Sequence, residues 1–232
     1  IILKTTQNII VYLEVQIIGS LTLNIVLSNK ANKLYPFIKE KNNNKLNKEE
    51  KKDIFKNIYA IFMYKVNAII INSTDNIIIS MFIGVTYVGL YSNYLLIVNA
   101  ITMILSIVFN SLTSSIGNLN ASETAERKYD VYKVINFVSF WLYGFASICL
   151  WNLMNPFIEL WIGKMYLLDN FTLLIIIINF YTTGIQFGTT SYRDSTGLFW
   201  NGRYIPVFAS LINIGISVML ANRLGIAGVL LG

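Results

Sequence analysis

Long apolar runs broken by short polar ones dominate the hydropathy pattern of this chain. A membrane-spanning helix needs about 20 mostly apolar residues, since each adds about 1.5 Å across a hydrocarbon core about 30 Å thick. Six stretches meet that requirement: 9–27, 58–82, 87–109, 134–154, 167–189 and 204–220. A seventh begins at Ile226 and is expected to continue beyond Gly232. The isoleucine clusters at 69–71 and 77–79 would favour strands in water. In lipid an isolated strand leaves its amides unpaired, and the runs lack the two-residue alternation of a transmembrane barrel. The pattern predicts an all-α integral membrane protein, a polytopic helical bundle.

Polar residues inside the runs recur at helical spacing. Positions seven or eleven apart lie within about 20° of each other on a helix. Lys65, Asn72 and Asn76 share one face of the second run, with Asp75 on its edge. The next run aligns Ser92, Asn99, Ser106 and Asn110. The following three align Asn136, Ser139, Tyr143 and Ser147, then Asn179, Thr182, Thr183 and Gln186, then Ser210, Asn213 and Ser217. Five helices are therefore expected to have one lipid side and one wet or packed side. Hydroxyls and amides there can be contacts between helices, worth about 0.6 kcal/mol each.

Lys65 asks for more. It lies about 15 Å into its span by the helical rise. An ionised group at that depth costs several kcal/mol unless it meets a partner or a water-filled cavity. Asp75 lies about 15 Å further along the same helix, so the two cannot simply neutralise each other. Snorkelling toward opposite interfaces is the rival account of both. The candidate cavity residues are Lys65, Asn72, Asp75, Asn76, Asn99, Asn110, Tyr143 and Gln186. Glu14, near the outer end of the first run, is placed at the interface.

Composition agrees with the pattern: 55% of the 232 residues are hydrophobic and 13% charged. Soluble domains carry about 25% charged residues. With no histidine and a single cysteine, Cys149, imidazole catalysis, histidine metal sites and disulfides are excluded. Phosphate-loop, HExxH and G-x-S-x-G motifs are absent. No enzymatic activity, cofactor or nucleic-acid partner is expected. Gly144, Gly184 and Gly188 are read as sites of close helix approach.

Charge sets the orientation. Loops 29–57, 111–133 and 190–203 hold fourteen Lys and Arg, and the alternate loops hold three. The first set is expected to face the cytoplasm. Tyr87, Tyr91, Trp141, Trp151, Trp161, Tyr166, Trp200 and Tyr204 are read as interfacial anchors. Segment 29–57 has nine lysines against four acids, nearly all of the net +6. It reads as a basic cytoplasmic loop that attracts anionic lipid, with an amphipathic helix from Lys48 leading into the next span. Arg193 and Arg203 lie on the same side. They either serve orientation or form a basic mouth that collects phosphate, which arginine binds in a fork geometry.

The stretch TDNIIISMFIGVTYVGLYSNY (74–94) closely resembles the polysaccharide-biosynthesis flippases of the multidrug/oligosaccharidyl-lipid/polysaccharide exporter superfamily. SSIGNL (114–119), FIELWIG (157–163), GLFWNGRYIPVFASLINIGISVML (197–220) and GIAGVLLG (225–232) support the likeness, which covers roughly residue 54 onward. The resemblance implies a two-lobed bacterial cytoplasmic-membrane transporter around a central cavity. Residues 1–28 would be the last helix of the first lobe and 29–57 the joint. Residues 58–232 would be the second lobe, truncated in its sixth helix. It further implies translocation of undecaprenyl-pyrophosphate-linked oligosaccharide for capsule or O-antigen synthesis, alongside polysaccharide polymerase and glycosyltransferase partners. A cation-coupled multidrug extruder of the same superfamily is the alternative, which would want carboxylates deep in the lobe, with Asp75 the sole candidate. A lipid-linked glycosyltransferase or polymerase would want larger outer loops than this chain has.

Overall fold

The computed structural model describes residues 9–39 and 47–232. The described elements are helices, with no strand among them: α1 (Ile9–Leu34), α2 (Lys48–Phe82), α3 (Val85–Ser122), α4 (Ala125–Ile162), α5 (Asn170–Ile185), α6 (Phe187–Thr196) and α7 (Ile205–Leu230), with single 3-10 turns at Pro36–Lys39 and Lys164–Tyr166. Six helical segments, counting α5 and α6 as one, are long and apolar enough to cross a membrane. This is an all-α polytopic bundle and a multi-pass membrane protein.

The chain divides into two units, the first ending at Lys51 and the second spanning Lys52–Gly232. In the first, no residue of α1 is buried. The start of α2 is fixed there by half of a capping box, in which Glu50 Oε2 accepts the Asn47 amide N–H at 2.9 Å. The helix thus begins at Lys48, where the sequence places the amphipathic lead into the span. Residues 40–46 of that loop lie outside the described residues.

In the second unit α4 packs on α5, α3 on α6 and α4, and α5 on α7. α3 and α4 each run 38 residues, about 57 Å by the helical rise, well beyond a 30 Å core. Their overhang is on the lysine-rich side, and polar contacts tie it together there. Asn120 Nδ2 donates to Ser195 Oγ at 2.8 Å, Lys128 Nζ to the Asn120 carbonyl at 2.8 Å, and Tyr192 to the Lys128 carbonyl at 3.0 Å.

At the other end Tyr94 is wholly buried. Its hydroxyl donates to Asn155 Oδ1 at 2.7 Å and accepts the Leu168 N–H at 2.9 Å, linking α3, α4 and the turn into α5. Tyr94→Phe would orphan that amide, and a buried donor without a partner costs about 1–3 kcal/mol. We expect a lower thermal midpoint for the purified variant; an unchanged midpoint would show that the hydroxyl holds nothing.

α7 reverses at Gly225, whose φ of 60° and ψ of −139° lie outside the helical region and suit a residue without Cβ. Residues 226–230 are buried as they return along the helix. Ser217 Oγ donates to the Val229 carbonyl at 2.7 Å, and Asn179 Nδ2 to that of Leu230 at 2.8 Å. A Cβ on Gly228 would strike the Leu220 carbonyl, so only glycine lets the strands of chain lie this close. The expected seventh run thus starts where the chain turns back.

Large apolar side chains, among them Phe140, Trp141, Phe145 and Ile148, cover the outside of the bundle. Tyr87, Trp161, Tyr166 and Tyr204 are exposed as anchors require. Tyr91 is a correction: it is 7% exposed and points inward, because it falls on the packed line of α3 described next.

Candidate functional site

Each helix's inward line follows from what packs along it. On α2 this line is Ala60, Tyr64, Asn67, Ile71, Asp75 and Ile78–Ile79, at steps of three and four. On α3 it is Tyr91, Tyr94–Leu95, Val98, Thr102 and Phe109. Both lines lie one residue, about 100°, before the polar stripes read from the sequence. In lipid, close packing rather than hydrophobicity chooses the inward face. The stripe serines do not need an inward partner, because Ser92 Oγ donates to its own helix at the Val88 carbonyl (2.7 Å) and Ser106 Oγ to that of Met103 (2.8 Å). On α4 and α7 stripe and packed line coincide: Ser139, Tyr143, Ser210 and Ser217 are buried.

Between α2, α3, α4, α5 and α7 lies a cavity of about 490 Å³. Its polar lining consists of Asp75, Tyr91, Asn99, Thr102, Tyr143, Asn179, Thr182, Thr183 and Asn213, set among Ile71, Leu95, Val98, Ile176 and Phe180. By the helical rise Asp75 is about 14 Å from the turn at Gly84, Asn179 about 15 Å from Asp169 and Asn213 about 18 Å from Gly225. The cavity is thus near mid-membrane. Toward the lysine-rich side lies an aromatic cluster: Phe109 stacks on Tyr143 at 5.9 Å and packs on Phe187 at 4.7 Å, and Tyr143 meets Phe180 at 5.3 Å. Gly184 lets the Tyr143 ring sit against the α5 backbone, since a Cβ there would overlap the ring. Gly188 makes a similar approach to the Asn136 amide, whereas Gly144 has ordinary room.

Asp75 Oδ1 and Asn213 Oδ1 are buried and have no hydrogen-bond partner among the described residues. Two acceptor oxygens, one of them on a carboxylate, therefore line the cavity unsatisfied. No lysine or arginine is among its lining residues.

Of the candidates read from the sequence, the structure brings Asp75, Asn99 and Tyr143 together here. Lys65 is exposed, off the packed line of α2, and absent from the lining. Asn110 and Gln186 are also exposed; Gln186 sits at the break between α5 and α6. Asn76 is half-buried with an unpartnered Oδ1 but lies outside the cavity lining. The Asn72 side chain lies outside the described residues. Tyr91 and Thr102 also line the cavity, though neither belongs to the polar stripes. Their signal was an apolar and aromatic stripe rather than a polar one.

Arg193 and Arg203 form no open mouth. Arg193 donates twice to Asp194 Oδ1, at 3.0 and 2.8 Å, and its guanidinium lies 4.4 Å over Tyr64. Arg203 lies 3.6 Å over Trp200, donates Nη1 to the Trp200 carbonyl at 2.8 Å, and keeps a buried, unpartnered Nε. Tyr64 in turn donates to the Gly202 carbonyl at 3.0 Å, so α2 is held to this turn. Among the described residues no group of His, Cys, Asp or Glu could hold a metal ion.

No family model, curated protein or solved structure matches this chain.

Proposed function

We propose that the chain is part of a transporter that shelters the hydrophilic head of a lipid-linked molecule while its tail stays in the bilayer, and that this molecule is a polyprenyl-pyrophosphate-linked oligosaccharide of the bacterial cytoplasmic membrane. The observation that carries the reading is the mid-membrane cavity, whose amides, hydroxyls and phenols on four helices match the hydroxyls of sugars. Its volume falls within the range of about 300–1,000 Å³ typical of ligand sites. The flippase-like motifs of the sequence support the same reading. The lining carries no cation, so the pyrophosphate would be left near the basic membrane face while the glycan occupies the cavity. Surface polysaccharide synthesis, with polymerase and glycosyltransferase partners, follows from that assignment.

A second reading, cation-coupled export, is favoured by one observation: the sole carboxylate in the lining has an unsatisfied oxygen. Dye efflux from cells lacking their own pumps tests it, and efflux no greater than background counts against it.

For the flippase reading the informative variant is Asn213→Leu combined with Thr183→Val, in cells whose surface glycan depends on this gene. Asn213 Oδ1 has no partner to lose, so folding should survive. We expect surface glycan to fall about five- to thirtyfold, as loss of one or two hydrogen bonds worth roughly 1 kcal/mol each allows. Normal glycan with a normal amount of membrane-inserted protein would overturn the assignment.

A further inference from the structure

A second hollow, of about 470 Å³, lies at the lysine-rich end of α2, lined by Lys52, Phe55, Lys56, Tyr59 and Trp200. The four α2 residues follow steps of three and four and so form one stripe, facing the indole supplied by the turn between α6 and α7. Lys56 Nζ lies 4.7 Å from the centre of that indole, which also carries the Arg203 guanidinium at 3.6 Å. Two cations thus share one ring, with a third, Lys52, a turn away. The ion pairs among the described residues use Lys133, Lys164 and Arg193, so among those residues neither lysine has a paired counter-charge, neighbouring Asp53 included.

Like charges gathered on one aromatic ring without an anion are mutually unfavourable. A bound anion relieves that repulsion, and the aromatic ring keeps the ammonium in place to receive it. The stripe sits just before the apolar run of α2, at the depth where headgroups meet acyl chains. Phe55 is 69% exposed beside the lysines, giving an apolar surface for the first carbons of a chain. Arg193, by contrast, is already neutralised by Asp194.

We infer that this groove binds the net anionic phosphate headgroup of a lipid in the adjoining leaflet, with Lys52 and Lys56 as the phosphate ligands and Trp200 as the platform that positions Lys56. The inference holds whatever the mid-membrane cavity carries. Phosphatidylglycerol and a polyprenyl diphosphate present the same chemistry and are the two sources to separate.

The test is retention of defined lipids by the purified full chain in native mass spectrometry. Phosphatidylglycerol, polyprenyl diphosphate and phosphatidylcholine are offered separately and in competition, with inorganic phosphate as a soluble competitor. Each lysine near a membrane surface contributes enough to change affinity about fivefold, so K52Q/K56Q should weaken anionic-lipid retention roughly 30-fold. K52R/K56R, which keeps the charge, should bind as the parent does, as should K164Q on the opposite side. Preference for the diphosphate over phosphatidylglycerol would assign the groove to substrate loading, and the reverse to a structural phospholipid. Equal retention of phosphatidylcholine, no loss in K52Q/K56Q, or displacement by millimolar inorganic phosphate would each overturn the proposal.

Discussion

Asp75→Asn is expected to reduce transport roughly ten- to hundredfold while making the protein more stable. The carboxylate lines a mid-membrane cavity, and its Oδ1 is buried without a hydrogen-bond partner. Holding an ionised group at that depth costs about 2.5–3.5 kcal/mol on insertion scales. Asparagine keeps the shape and removes most of that cost, so the thermal midpoint should rise. The loss of function follows from the same property. An unsatisfied carboxylate can exchange one cation or proton for another, and a charge-assisted bond of about 1.5–3 kcal/mol corresponds to the stated range in rate or affinity. A residue retained at a cost to stability is what a working site often requires. Glycan export or dye efflux, measured with the thermal midpoint on the same preparation, decides the matter. Unchanged transport in the asparagine variant would remove Asp75 from any coupling role.

Gly184→Ala is expected to destabilise, against the usual direction. At an ordinary helix interior the substitution gains about 1 kcal/mol. Here the new methyl would overlap the Tyr143 ring, itself 4% exposed and packed between Phe109 and Phe180. Overpacking of this kind costs about 1–3 kcal/mol. Tyr143→Leu should make room, so the double variant should recover part of the loss, with a coupling of at least about 1 kcal/mol. Thermal unfolding followed by size-exclusion chromatography in one detergent reads all three variants. Strict additivity of the two substitutions would show that the ring and the glycine do not meet.

Both residues illustrate how far the chain could be read in advance. Asp75 stood out as a charge inside a long apolar run, which is a property of the residue and its neighbours in sequence. Lys65 stood out for the same reason, yet it is exposed and lines no part of the cavity, because Tyr64, Ile71, Ile78 and Ile79 pack best when α2 is turned about 100° further. Asn99 reaches the cavity from the edge of its line, while Asn110 on the same stripe does not. Arg193 and Arg203 were legible as basic residues on one membrane face. That the Arg193 guanidinium lies on Tyr64 is not, since that contact joins α2 to α6 across more than 100 residues of chain, whereas Arg203 on Trp200 is a contact within one turn.

That this is a helical membrane protein, and how many apolar runs it has, follow from hydropathy alone, because a spanning helix must satisfy its backbone within about 20 consecutive residues. Which flank of each helix faces its neighbours depends on how the helices pack together. In a bilayer both flanks meet surroundings of similar polarity, so the choice falls to the fit of rings and glycines such as Tyr143 against Gly184, and that fit exists only once the helices meet.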